Sequence, residues 1–339
     1  RIIKSVKEIE EKDLIQKKEA VITITEKGYI KRMPFKAYNE QKRGGKGAIG
    51  TELSSEDYVK QLISCSTHDT LLLFNSRGRI FWLKAYNVPE TQKYAKGQAI
   101  VNLLSIKEDS ITNVIAVKDF KDCLFIATKK GLVKKIKLEL FSKTRSTGVR
   151  IVNLPPDNSD EVVGVKKVLN NQEVMLITKK GQAIRFNCNE VREMGRASYG
   201  ITGIKLENDE VVSLEIVEDV KNTLLTITEK GYGKRSRIED YRLTRRAGKG
   251  VINLKINDKT GDVVGTTSVY DKDKFVVSTK KGIVIKTRVK DIRVMGRATS
   301  GVRIIKLQQG DKVSSIAKLV EDEIENIIEG AQTENNKEN

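Results

Sequence analysis

The chain has 339 residues, long for a single compact core, so two domains or a repeat array is the expectation. Lys and Arg number 63 against 45 Asp and Glu, a net charge of +18; the last nineteen residues hold seven acids and one base, so residues 1–320 carry +24, a balance that points to a polyanionic partner. A lone histidine, three dispersed cysteines and no apolar run near the ~20 residues that span a bilayer argue against most histidine-based metal or triad schemes, a disulfide framework, a zinc site and a transmembrane helix.

In chain order, the sequence opens on Arg1 without a Met or a signal peptide and reads as a piece of something longer from a reducing cytoplasm. After a stunted lead-in, Asp13–Ile15, comes VITITEKGYIKR (21–32), a β-branched run, a polar turn ending in Gly28 and a second short strand. QKRGGKG (41–47) follows, then a strand opening on Asp57. The same order returns five times. LLLFNSRGRIFW (71–82), LFIATKKGLVKK (124–135), VMLITKKGQAIR (174–185), LLTITEKGYGKR (224–235) and FVVSTKKGIVIK (275–286) align with the first hairpin. Their glycines, Gly28, Gly78, Gly131, Gly181, Gly231 and Gly282, are spaced 50, 53, 50, 50 and 51. Glycine-bearing segments such as RASYGITGIKL (196–206) and RAGKGVINLKI (246–256) follow each hairpin, and then an acid-led strand from Asp109, Asp160, Asp209, Asp262 or Asp311.

About four short strands per fifty residues predict an all-β fold over 1–320, a six-bladed ring of four-stranded antiparallel blades, one blade per unit. The strand at 311–319 is expected to complete the first blade and close the ring, with an open spiral as the alternative. The acidic segment 321–339 reads as disordered, either a solvated terminus or a DNA mimic that competes for the rim.

The residue before each hairpin glycine is basic in all six units: Lys27, Arg77, Lys130, Lys180, Lys230 and Lys281. Four positions after it stand Arg32, Trp82, Lys135, Arg185, Arg235 and Lys286, basic in five of six, and Arg245, Arg246, Lys249 and Arg297 add charge to the following segments. Equivalent positions in a ring occupy equivalent places, so both sets are expected on a basic belt that fits the phosphate ladder of a duplex, blind to sequence and sensitive to salt. QKRGGKG lacks the spacing of a Walker loop and of a dinucleotide fingerprint. His68 is expected in a turn, and Cys65, Cys123 and Cys188 as small buried hydrophobes.

Gln41, Lys42, Arg43, Gly44, Gly45, Lys46 and Gly47 closely resemble the Q-R-R-G-G-K-G box of the gyrase A subunit, six of seven with Lys42 in place of Arg. Six units with the intact box only in the first also resemble the six-bladed β-pinwheel at the C-terminus of that subunit. The resemblance implies non-sequence-specific binding of double-stranded DNA around the ring's outer edge, with bending and wrapping that let the parent enzyme introduce negative supercoils. It implies that residues 41–47 form a rim loop near the junction of first and last blades, on which wrapping depends. The implied partners are the gyrase B subunit, in a heterotetramer, together with the rest of the gyrase A subunit. The implied setting is the bacterial cytoplasm at the nucleoid, with no membrane and an isolated domain that is monomeric. No catalytic residue or cofactor is implied here, none of the nine tyrosines included; ATP and Mg belong to other parts of the parent enzyme. The alternatives are the related topoisomerase IV subunit, whose box tends to be degraded, and a propeller-type platform for an acidic protein.

Overall fold

The computed structural model describes residues 15–34, 59–92, 95–104, 111–281 and 283–319. Six antiparallel hairpins form where the repeats place them: Glu19–Thr25 with Tyr29–Pro34, Thr70–Asn75 with Arg79–Lys84, Cys123–Thr128 with Leu132–Lys137, Glu173–Thr178 with Gln182–Asn187, Thr223–Thr228 with Tyr232–Arg237, and Lys274–Thr279 with Val284–Arg288. The fourth shows why the turn sequence is T-x-K-G. Gly181 N–H donates to Thr178 O at 3.0 Å, and Thr178 Oγ1 accepts from the next amide, Gln182, at 2.9 Å. Gly181 itself sits at φ +80, and a Cβ there would lie 2.2 Å from Leu254 O of the following unit. Only glycine meets both demands.

Each acid-led strand folds back on the first strand of the hairpin just before it. Val59–Ser66, Ile111–Val117, Val162–Val168, Val211–Val217, Val263–Val269 and Val313–Leu319 all pair this way. The acids are structural, because Asp160 and Asp209 Oδ1 accept from the amides of the tip residues Lys130 and Lys180, both at 2.9 Å, and Asp311 from Lys281 at 3.2 Å. The expectation for 311–319 is therefore corrected: this strand pairs with the hairpin at 274–279 of its own unit and does not complete the first blade.

A second correction concerns the blade boundaries. The outermost strands, Gln98–Ala99, Val149–Arg150, Ile201–Thr202, Val251–Ile252 and Val302–Arg303, each pair with the hairpin of the preceding unit. Unit and blade are out of step, and consecutive units exchange a strand. Five blades have four strands, and the sixth has three among the described residues.

The six innermost strands pack side by side about the centre, the last of them, Val313–Leu319, against the first, Val59–Ser66, so the ring is closed. Amides of the inner strands also donate across the seams, Val162 to Ser76 O, Val211 to Lys129 O, Val263 to Lys179 O and Val313 to Glu229 O, at 2.8–2.9 Å. Apolar clusters fill the space between consecutive blades, as where Phe125 and Phe186 approach to 6.2 Å. A blade with neighbours on both sides buries both its faces, which is why strands such as TLLLFN read as unbroken apolar runs.

Candidate nucleic-acid interface

The hairpin tips all point to one end of the ring. Lys27, Arg77, Lys130, Lys180, Lys230 and Lys281 are exposed there, as expected. Three of the ammonium groups rest on the loop leading into their own inner strand: Lys130 Nζ donates to Ser159 Oγ at 2.8 Å, Lys281 Nζ to Gln309 O at 2.8 Å and Lys230 Nζ to Asp258 O. One residue before the tip, Lys129 is paired with Glu161 of its own blade and, across the seam, with Glu210, which also pairs with Lys179 of its own blade.

Beside the tips runs a chain of loops on the outer edge. The carbonyls of Gly28, Gly78, Gly131, Gly181 and Gly231 accept from the outer segment of the next unit, as from Gly203 N to Gly131 O at 2.8 Å and Asn253 N to Gly181 O at 2.8 Å. Successive outer segments also bond to one another, through Asn153 N to Ser198 O, Lys205 N to Gly248 O and Lys255 N to Thr299 O, at 2.9–3.1 Å. Arg246 and Arg297, at equivalent positions, are half-buried and stitch this chain, with Nη1 donating to Thr202 O at 3.0 Å and to Ile252 O at 3.1 Å. Arg245 and Lys249 are exposed, and Lys249 is paired with Glu207 at 2.7 Å. The chain carries a set that the repeat reading passed over, Lys205, Lys255 and Lys306, each exposed between apolar neighbours that turn inward. The triplets IKL, LKI and IKL, spaced 50 and 51, are its signal in the sequence.

The second expected set is placed differently. Lys135, Arg185 and Arg235 are buried and Arg32 is half-buried. Each spans a seam to the short helical turn that follows the next hairpin. Arg32 Nε donates to Val88 O at 3.2 Å, Lys135 Nζ to Asn189 Oδ1 at 3.3 Å, and Arg235 Nε to Ile292 O at 2.7 Å. Arg185 Nη1 reaches both Ile238 O and Tyr241 O at 3.0 Å, while its Nε is held by Glu173 at 2.6 Å. Trp82, the non-basic member, does the same job, its Nε1–H donating to Phe141 O at 2.9 Å. What these five positions share is a long side chain ending in an N–H donor, so the set is a row of seam latches and not an outward belt. Lys286 lies in the strand Val284–Arg288.

One position earlier, alternate units carry a buried lysine beneath the loop chain. Lys31 Nζ donates to Ala95 O at 2.8 Å; Lys134 Nζ to Ile151 O, Arg196 O and Ser198 O at 2.7–3.0 Å; and Lys234 Nζ to Gly296 O at 2.8 Å and to Arg297 O. Burial pushes Lys134 down to about 8 and Lys234, with Arg297 close by, to about 7. His68 sits in a turn with Nε2 2.7 Å from Ile15 O, and all three cysteines are buried. Burial, with Asp69 nearby, raises the Cys65 thiol to about 12. Residues 41–47 lie outside the described residues, as do Gly282 and the segment 321–339.

These features define a closed six-bladed β-propeller with a basic outer edge of repeated tips and linked loops. A family model described as the DNA gyrase C-terminal domain, beta-propeller, matches six times, over 19–66, 69–118, 124–168, 172–218, 222–269 and 273–319. The chain belongs to that family. It is 38% identical to the DNA gyrase A subunit of Salmonella typhimurium over 96% of its length, and 41% identical to that of Chlamydia muridarum over 93%. In both cases it spans 38% of the relative's length. Among solved structures, the C-terminal domain of DNA topoisomerase IV superposes with a TM-score of 0.79 over 94% of this chain and 99% of the other, at 24% identity, a likeness of fold. A DNA gyrase A C-terminal domain gives 0.71 over 89% and 100%, at 25% identity.

Proposed function

We propose that this domain binds double-stranded DNA without sequence specificity along its outer edge, bends it and wraps it, so that a parent gyrase introduces negative supercoils. The observation that carries the proposal is the repetition of exposed basic groups at every hairpin tip, and again at Lys205, Lys255 and Lys306, along one continuous edge. A duplex offers phosphates at regular intervals, and smooth bending of 20–30 bp costs on the order of 1–6 kcal/mol, which contacts on successive blades together offset. The closed ring and its hydrogen-bonded loop chain favour this reading, since they hold those contacts on one rigid curve. The box at 41–47 is proposed as the fastener of the wrap. The domain is taken to work without a cofactor of its own in the bacterial cytoplasm. Its companions there are the remainder of the gyrase A subunit with the gyrase B subunit, and the ATP and Mg chemistry lies in those parts.

Ligation of nicked circles in the presence of the domain tests the reading, because wrapped DNA changes its linking number on closure. A net topological shift is expected, and it should be lost when residues 41–47 are replaced by alanine while DNA is still bound. Ligation products without any shift refute wrapping. A docking platform for an acidic protein is disfavoured by the near-identical length of the hairpin turns. The topoisomerase IV reading is disfavoured by the intact glycines and charges of the box.

A further inference from the structure

At the end of the ring opposite the hairpin tips, a cleft opens beside the seam between the fifth and sixth blades. Val220, Tyr270 and Val294 line it, and they are three of the ten large apolar side chains left exposed among the described residues, at 44%, 39% and 39%. Lys221 and Arg237 stand at its margin, and its acids are engaged, Asp271 with Arg235 and Glu239 with Arg237. Exposed apolar groups gathered at one concave place mark a surface that something covers.

The chain itself supplies a candidate at the right point. The last inner strand runs from the tip end to the opposite end, where Leu319 pairs with Lys274. Lys318 Nζ lies 2.9 Å from Asp273 and 5.3 Å from the centre of the Tyr270 ring, so the chain leaves the ring within one residue of the cleft wall. Residues 320–331 read VEDEIENIIEGA. Val320, Ile324, Ile327 and Ile328 recur at the spacing of one helical face, with Glu321, Asp322, Glu323, Glu325 and Glu329 between them. An apolar stripe flanked by acids matches an apolar cleft with Lys221 at its margin.

We propose that the segment 320–331 docks by its apolar stripe on the cleft lined by Val220, Tyr270 and Val294, on the face of the ring turned away from the hairpin tips. Docked there, the acidic segment stands off the basic edge and does not compete with DNA for it. The proposal is independent of the DNA-wrapping reading.

Disulfide trapping in the full chain tests it. The variant Val294→Cys/Ile327→Cys is exposed to oxidised glutathione beside the control Lys230→Cys/Ile327→Cys, which puts the first thiol on a hairpin tip; the native cysteines are buried and their thiols held high by burial. Docking predicts an intramolecular disulfide roughly tenfold or more faster for the cleft pair than for the tip pair, because docking raises the local thiol concentration. Adding Ile324→Ser and Ile328→Ser to the cleft pair should bring its rate down to the control's. Equal rates for the two pairs, a faster tip pair, a rate unaffected by the serines or disulfides that join two molecules would each overturn the proposal. Hydrogen exchange of the unmodified chain gives a reading free of substitutions: amides of 320–331 protected above random-coil rates support docking, and unprotected amides refute it.

Discussion

Lys234 has no measurable exposure, yet its ammonium holds two carbonyls of the loop that carries Arg297. Its pKa falls from an unfolded value near 10.4 to about 7 in the ring, so between those limits the unfolded chain binds the extra proton. The sign follows: this residue's contribution to stability is least below pH 7 and improves as pH rises from 7 towards 10. The unfolding free energy of the parent chain, relative to Lys234→Met, should rise with pH across that window by at most about 1.4 kcal/mol per unit, measured by denaturant titration. A flat difference between the two proteins would show that the group keeps its proton. Arg185 is a residue of another kind, with one guanidinium serving Glu173 and two carbonyls at a seam. Arg185→Ala strands all three acceptors, and a loss of about 3 kcal/mol in unfolding free energy is expected. DNA affinity of the folded fraction should stay unchanged, since this side chain faces inward.

The hairpins are the elements most open to reading from sequence. An apolar run, a Thr (Asn75 in the second unit), a basic residue and a glycine at fixed offsets specify both strands and the turn between them, and all six stand where the repeats put them. The tip lysines followed, because a residue at i+2 of a tight turn has nowhere to point but outward. The position four residues after the glycine misled for a physical reason. Arg and Lys on a strand look like surface charge, but a guanidinium whose donors meet backbone carbonyls and a carboxylate can be buried at a seam, and only Trp82 in the same column hinted that charge was not the requirement. The outer segments were legible as a set and not in their pairing. Nothing within a unit says that its outer strand belongs to the blade before it, since that follows from the reach of the loop across the ring. Lys205, Lys255 and Lys306 were passed over because each sits inside an apolar triplet, where alternation, and not a run of charge, turns the side chain outward.

At the scale of the molecule, the two periodic basic sets lie on one edge, the tips beside the loop chain. If they track phosphates, removing three of them has a defined signature. Lys205→Gln/Lys255→Gln/Lys306→Gln should weaken duplex binding alike on unrelated sequences. It should also make the plot of log K against log salt shallower by roughly 2.7, at about 0.9 for each phosphate no longer neutralised. Gel-shift titrations over a salt series measure both quantities. An unchanged slope would place the duplex elsewhere on the ring. A shift confined to one sequence would replace phosphate tracking with base reading.

The strand exchange between consecutive units sets where such a ring can be cut and rejoined. A gene segment spanning one hairpin glycine to the next encodes no complete blade; it encodes the second hairpin strand and the inner strand of one blade, the outermost strand of its predecessor and the first hairpin strand of its successor. Duplicating or deleting such a segment whole leaves every remaining strand with a neighbour of the kind it had before. A cut at the visible border of a blade instead leaves one hairpin bare on its outer side and one strand with nothing to pair with. The inheritable module is the repeat and not the blade, and the number of blades can change only in steps that respect it.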